Sequence, residues 1–354
     1  MSSSGRPSGA GKVKHMSTQL QNRAAPMTSD EAVNLLRDIF GLDGSADRLP
    51  SEVDDTFRIT AADGKRYTLK VAGVNERGDV LAFQTGALQH LERTAPQLPV
   101  PRVRRTLDGA AMAEVPVSGK TRFVRLLGWL EGMPMHAMAG SPTQTRALGE
   151  ALGTLDRGLA DYERPFPHFE LLWDITHAAR VTDWTQSIAD PALRMLTDRA
   201  FSDATLDPAL EVRLPRQVIH NDINPHNVIV GEKDADQIAG IIDFGDLIQA
   251  TRINDLAIAL SYQLGQPDGL ARAAAMISGY RGQIALTADE CDALRPRILA
   301  RLAMTVTITT RRAADDPGHA AYILRNRPAS IAGLEQLATL SPRAWDTILE
   351  GNLP

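Results

Sequence analysis

The chain has 354 residues, 43% of them hydrophobic and 23% charged, with a formal net charge of −5; this is the balance of a globular protein large enough for two packed lobes or one large domain. A protein built mainly to bind nucleic acid would be basic, which argues against that class, and no run approaches the roughly 20 apolar residues of a membrane-spanning helix. The single cysteine, Cys291, allows no disulfide within the chain and fits a reducing cytoplasm; it lies in a helical pattern and reads as a half-buried bystander.

Residues 1–27 begin rich in Ser and Gly and have no apolar core of a signal peptide, so they are expected to be unstructured. His15-Met16 has the form of a cloning junction, which would make Met16 the native start. "TSDEAVNLLRDIF", Thr28 to Phe40, reads as a helix capped by Thr28 or Ser29 with acids in its first turn. "DTFRITAADGKRYTLKVAG" holds two alternating runs joined at Asp63-Gly64, a strong hairpin signal. "GDVLAFQTGALQHLERTA" is helical, and "VPRVRRTLDG", "AMAEVPVSG" and "TRFVRLLGWLEG" follow as strand-like runs. Residues 28–130 therefore read as an α+β lobe with an antiparallel sheet. After Gly132, Ser141-Pro142 opens a long amphipathic helix, and helical periodicity dominates 131–354 apart from one short β hairpin.

That exception is "VIHNDINPHNVIVGEKDADQIAGIIDFGDL", where polar residues stand at the ends of buried-looking runs. His220, Asp222 and Asn227 keep the spacing H-x-D-x-x-x-x-N, and "DFG" follows at Asp243, Phe244 and Gly245. Phosphoryl transfer from a nucleotide needs such a kit. Mg²⁺ prefers hard oxygens and keeps several waters, so one carboxylate and one amide oxygen suffice, while a second carboxylate orients the attacking hydroxyl. In order and between apolar strands, the pieces match a protein-kinase-like catalytic centre. Asx-turn punctuation accounts for Asn221, Asn224 and Asp246 but not for the ordered set, and a zinc site on His220 and His226 lacks a Cys partner or an HExxH pattern. His220 is expected to organise the loop through backbone hydrogen bonds. Upstream, Lys70 stands on the second strand of the first hairpin, where it can hold nucleotide phosphates, with "LPSEVDDTFRI" and its Ser51 covering them.

The chain from about residue 30 to 340 resembles the aminoglycoside phosphotransferase family of small-molecule kinases, which have the protein-kinase-like two-lobe fold. "FVRLLGWLEGMPM" resembles that family's hinge, "VIHNDINPHNVIV" its catalytic loop and "GIIDFGDL" its metal-binding strand end. "LPSEVDDTF", "GTLDRGLADYERP" with "LLWDI", "IIDFGDLIQATRINDLAIALSY" and "RLAMTVTITTRRAADDPGHAAYI" resemble its hydroxylysine kinase-like branch. The resemblance implies Asp222 as catalytic base, Asn227 and Asp243 as Mg²⁺ ligands, Lys70 on the phosphates of ATP or GTP, and backbone groups of Gly128, Trp129 and Leu130 on the purine. The chain departs from the protein-kinase pattern in having no G-x-G-x-x-G loop. Where a Glu should pair with Lys70 the helix offers Gln84, Glu76 falling before it. The implied acceptor is a small amino alcohol or hydroxy amino acid, most closely 5-hydroxylysine. Asp246, or Asp174 beside Trp173, would meet its ammonium, and Arg311 or Arg312 a carboxylate. Trp173 otherwise packs helices, Arg311 and Arg312 otherwise face solvent, and Asp255 is expected to cap its helix. Choline/ethanolamine, homoserine and aminoglycoside kinases share the same core, and a nucleotide-binding scaffold without activity is the non-enzymatic alternative. Neither nucleic acid nor membrane is expected as a partner, and the sequence does not specify an oligomeric state.

Overall fold

In the computed structural model, which describes residues 26–352 apart from Glu52, Ser118 and His168, the chain divides into two units. One runs through Leu88 and takes in Pro101–Trp129; the other comprises Gln89–Val100 and Leu130 onward. Most of the segment expected to be unstructured lies outside the described residues, and Met27 is buried in the core of the first unit.

The first unit opens with α1 (Ser29–Phe40), held at its start by a capping box between Thr28 and Glu31 and ended by Gly41 in a left-handed conformation. The strands β1 (Gly44–Leu49), β2 (Asp55–Ala61) and β3 (Arg66–Val71) precede helix α2 (Gly78–Thr94). After it come β4 (Val103–Arg104), β5 (Ala113–Val117) and β6 (Lys120–Gly128). They form one antiparallel sheet in the order β1-β2-β3-β6-β4, with β5 also on β6. The β2–β3 hairpin turns where Asp63-Gly64 predicts it, Gly64 taking φ +80°. Strand β1 was not expected, because "GSADRL" has no apolar alternation. It is an edge strand that needs only one inward residue: Ala46 lies opposite Ile59, while Asp47 pairs outward with Arg58 at 2.9 Å. Phe57, Ile59, Leu69, Val71, Val124 and Leu126 close the core against Leu36 and Phe40 of α1.

The second unit contains β7 (Met133–Pro134), α3 (Pro142–Leu159), a 3-10 stretch (Ile175–Ser187), α4 (Pro191–Asp203) and α5 (Pro208–Arg213). The short strands β8 (Arg216–Ile219), β9 (Val228–Val230), β10 (Ile238–Ile241) and β11 (Ile248–Thr251) follow. The chain then continues as α6 (Ile253–Leu264), α7 (Gly269–Arg281), α8 (Ala288–Asp315), α9 (Ala320–Ile323), α10 (Arg327–Thr339) and α11 (Pro342–Leu349). Ser141 caps α3 by accepting the Gln144 N–H, as Ser-Pro predicts. Helices α3 and α7 meet backbone to backbone: a Cβ at Gly149 would come 2.1 Å from the Met276 carbonyl oxygen, and one at Gly279 2.1 Å from that of Arg146. The expected single hairpin is two ladders. β9 pairs with β10 and β7, whereas β8 pairs with β11. No helix among the described residues is long and apolar enough to cross a membrane.

Candidate active site

The polar loop 220–227 joins β8 to β9, and the strand end at Asp243 follows β10, so the β9–β10 pairing returns the chain to the loop. Ile242 donates its N–H to the Asn227 carbonyl at 2.9 Å. His220 Nε2 lies 3.1 Å from the Ile242 carbonyl, and its ring meets Phe244 edge-on at 4.8 Å. Inside the loop, Asn224 and Asn227 donate backbone N–H groups to the carbonyls of Asp222 and Asn224 at 3.0 and 2.9 Å. Asn221 and Asp243 both take positive φ, 65° and 63°, a conformation that Asn and Asp tolerate better than most residues.

Asp222 is gripped on both oxygens. Oδ2 accepts from the side-chain amides of Asn224 at 2.9 Å and Asn227 at 2.8 Å; Oδ1 accepts from Arg301 Nη2 at 3.2 Å. Burial pushes the carboxyl above its ordinary range, with Asp243 adding to the rise and Arg301, Asn224 and His220 opposing it. Asn227 also donates Nδ2 to the Asp222 carbonyl at 3.0 Å. That commits its amide nitrogen to Asp222 and turns Oδ1 the other way, toward a role as a hard oxygen ligand. The described residues hold no cluster of three or more His, Cys, Asp or Glu fit for a metal. One amide oxygen and the exposed Asp243 carboxylate therefore suit a cation that keeps water and takes phosphate oxygens, as Mg²⁺ does, and they do not suit zinc.

Two residues support this loop in ways the sequence did not indicate. Asp255 is not a helix cap: Arg252 occupies that position, and Asp255 lies inside α6, fully buried. Its carboxylate accepts the backbone N–H groups of His220 at 2.7 Å and Asn221 at 2.6 Å. Arg301, 2% exposed on α8, donates to Asp222, to Tyr262 Oη at 3.0 Å and to the Trp173 carbonyl at 3.3 Å, with its guanidinium 4.9 Å from the Trp173 ring. The signal was Arg297 and Arg301, one helical turn apart in the otherwise apolar "RILARLAM", a charged pair where the pattern demands burial.

The other expected substrate residues are dispersed. Asp174 caps the 3-10 stretch by accepting the Thr176 N–H at 2.9 Å. Trp173 faces Arg301 rather than packing helices only. Asp246 follows Asp243 on the turn Phe244–Asp246, and its charge acts on Arg301. Arg311 pairs with Asp315 at 3.3 Å on an exposed helix face, and Arg312 is half-buried about three turns beyond Arg301. The arginine whose charge reaches Tyr262 and His226 is Arg325, stacked on Tyr322 at 3.8 Å.

In the first unit Lys70 stands opposite Arg125 on β6, so the two side chains share a sheet face. Lys70 Nζ lies 3.6 Å from Asp54, and Arg125 donates to Gln84 Oε1 at 3.2 Å. Glu76 precedes α2, as expected, yet belongs to the same cluster: burial and Asp54 push its carboxyl up, Arg125 and Lys70 pull it down. Ser51 is half-buried in the turn before β2. At the expected hinge, Gly128 donates its N–H to Arg102 at 2.8 Å and Trp129 to Arg66 at 3.2 Å. Both N–H groups already serve the chain, and Leu130 resumes the second unit. Cys291 is half-buried and burial raises its thiol.

The sequence profile of the phosphotransferase enzyme family matches residues 45–295. Hydroxylysine kinase of Mus musculus is 24% identical over 359 residues, covering 93% of this chain and 94% of that protein. Homoserine kinase of Brucella anthropi is 30% identical over 243 residues, 65% of this chain and 67% of that protein. Among solved structures, a microcompartment-associated aminopropanol kinase superposes with a TM-score of 0.67 at 18% identity, covering 87% of this chain and 97% of its own; the fold is kinase-like.

Proposed function

The chain belongs to the phosphotransferase enzyme family, and from that premise we propose that it transfers the γ-phosphoryl group of a Mg-bound nucleoside triphosphate to the hydroxyl of a small hydroxy amino acid, 5-hydroxylysine above all. The observation that carries the reading is Asp222, held on both carboxylate oxygens beside Asn227 and Asp243. Asp222 receives the acceptor hydroxyl and takes its proton late, so positioning does more than basicity. Asn227 Oδ1 and Asp243 would hold Mg²⁺, whose contribution is charge neutralisation on the phosphates. Lys70 would bind donor phosphates, with ATP and GTP both admitted. Asp246 is placed to meet an ammonium, and Arg325 or Arg312 a carboxylate.

Similarity to hydroxylysine kinase across nearly the whole chain supports the acceptor class. Similarity to homoserine kinase favours, as a second reading, a shorter hydroxy amino acid. The absence of a membrane-spanning helix among the described residues is in keeping with a cytoplasmic enzyme. The test is phosphoryl transfer from MgATP and MgGTP to 5-hydroxylysine, homoserine, ethanolamine, choline and an aminoglycoside. The highest kcat/KM is expected with 5-hydroxylysine; preference for choline or the aminoglycoside overturns the acceptor class. No turnover with any of them, despite bound Mg-nucleotide, overturns the enzyme.

A further inference from the structure

Behind the catalytic loop two carboxyl groups lie against each other. Asp156 on α3 and Asp255 on α6 are both fully buried, and each acts directly on the other's carboxyl. Asp156 Oδ2 accepts the Tyr280 hydroxyl at 2.6 Å, whereas its Oδ1 meets no protein donor. Tyr280 reaches it from α7, which the glycine contacts draw tight against α3. Asp255 already accepts two backbone N–H groups, from His220 and Asn221.

Two carboxylates cannot hydrogen-bond without a proton between them. Asp255 must offer lone pairs to its two N–H donors, and Asp156 must accept from Tyr280 on one oxygen only. The arrangement is satisfied when the other oxygen of Asp156 carries an O–H directed at Asp255. We propose that Asp156 and Asp255 share one proton resident on Asp156, and that this pair is the support on which the catalytic loop is positioned. Asp156 is thus a positioning residue that acts through Asp255. The kinetic half of this inference rests on Asp222 doing the chemistry; the proton itself does not.

Every charged group facing the pair is consistent with one proton there. Arg252, just before α6, draws Asp156 down, but it is paired with Glu290 of α8 at 2.6 Å. Burial pushes Asp255 up against the pull of His220 and of its two N–H donors, and Tyr280 is itself pushed well up by burial and by Asp156. Burial and mutual repulsion prevail, holding Asp156 well above the ordinary carboxylate range. The folded chain therefore binds a proton that the unfolded chain releases above about pH 4. Stability contributed by this proton is complete in acid and declines as pH rises toward the pair's own titration.

Asp156→Asn is the deciding variant, because the amide presents an N–H to Asp255 and an oxygen to Tyr280. Melting midpoints are measured without substrate from about pH 5 to pH 9, a span beginning near the unfolded carboxylate titration. The wild type is expected to lose stability toward alkaline pH and Asp156→Asn to show a flatter profile. Turnover with whichever acceptor reacts, or slow MgATP hydrolysis without one, is expected within about threefold of wild type for Asp156→Asn. Asp255→Asn turns an NH₂ toward a backbone N–H and is expected to lower kcat at least about 100-fold while nucleotide KM stays within about threefold, the pattern of lost positioning rather than lost binding. If Asp156→Asn keeps the wild-type pH slope, or falls in kcat as far as Asp156→Ala, the shared proton is refuted. The melting comparison decides this even if Asp255→Asn fails to fold or the chain phosphorylates none of the acceptors tested.

Discussion

Replacing Arg301 by Met tests how Asp222 is held. Nη2 of Arg301 lies 3.2 Å from Asp222 Oδ1, and at that separation an effective dielectric of about 20 gives an attraction of about 5 kcal/mol. The Asp222 side chain is 24% exposed, so water screens the pair, and about 2–3 kcal/mol is the part expected to be felt. Met fills much of the arginine stem but returns neither the charge nor the fork that joins Asp222, Tyr262 and the Trp173 carbonyl. With Asp222 free to turn on its Asn224 and Asn227 contacts, kcat is expected to fall about 30- to 150-fold, at 1.36 kcal/mol per tenfold. Arg301→Lys keeps the charge and is expected to recover about tenfold of that loss, since a point charge replaces a planar fork. The assay is steady-state phosphoryl transfer at saturating acceptor, with nucleotide affinity measured separately by calorimetry. A folded Arg301→Met enzyme with wild-type kcat would refute the idea that this contact orients the base.

Asp222→Ala is expected to abolish turnover, by at least about 10³-fold, while Mg-nucleotide binding by calorimetry persists; an active variant would remove the base assignment. Asp243→Ala is expected to weaken nucleotide binding in Mg²⁺ far more than in EDTA, because it removes a ligand to the ion and not to the base. In the first unit, burial pushes the Asp55 carboxyl up, but hydrogen bonds from Arg122 and Arg48 prevail and hold it below its ordinary range. Its contribution to stability is therefore present above about pH 4 and lost as pH falls through the folded value. Asp55→Asn should show a shallower acid limb in melting experiments and, with Arg122 left buried at 3% exposure, lower stability at neutral pH by about 3–5 kcal/mol. Gly149→Ala, which drives a methyl into the Met276 carbonyl, should lower the melting midpoint and loosen the Tyr280–Asp156 contact, seen as faster amide exchange at the catalytic loop.

What could be read from the sequence follows from how far apart the cooperating residues stand. Asp222, Asn227 and Asp243 occupy one stretch, and the short β9–β10 ladder alone returns the strand end to the loop, so linear spacing carries the geometry. The β2–β3 hairpin was legible for the same reason: Asp-Gly between alternating runs is a local instruction. Strand β1 was not, because an edge strand with one inward alanine is stabilised by its neighbour and not by its own pattern. The supports of the loop were the least visible. Arg301 lies 79 residues from Asp222, and Tyr280 lies 124 from Asp156; no local periodicity links either pair. Each still left a trace, since Arg301 stands between the buried Ala300 and Leu302, and Asp156 shares its helix face with the buried Leu152 and Leu159. Burying a charge is costly unless it is paired, so such a residue demands a partner even when the sequence does not say which. The loop carries its proposed chemistry in its own residues but is held by groups on α3, α6, α7 and α8. That division explains why a short motif could reveal the reaction class while the residues that hold it still became visible only once the helices were packed.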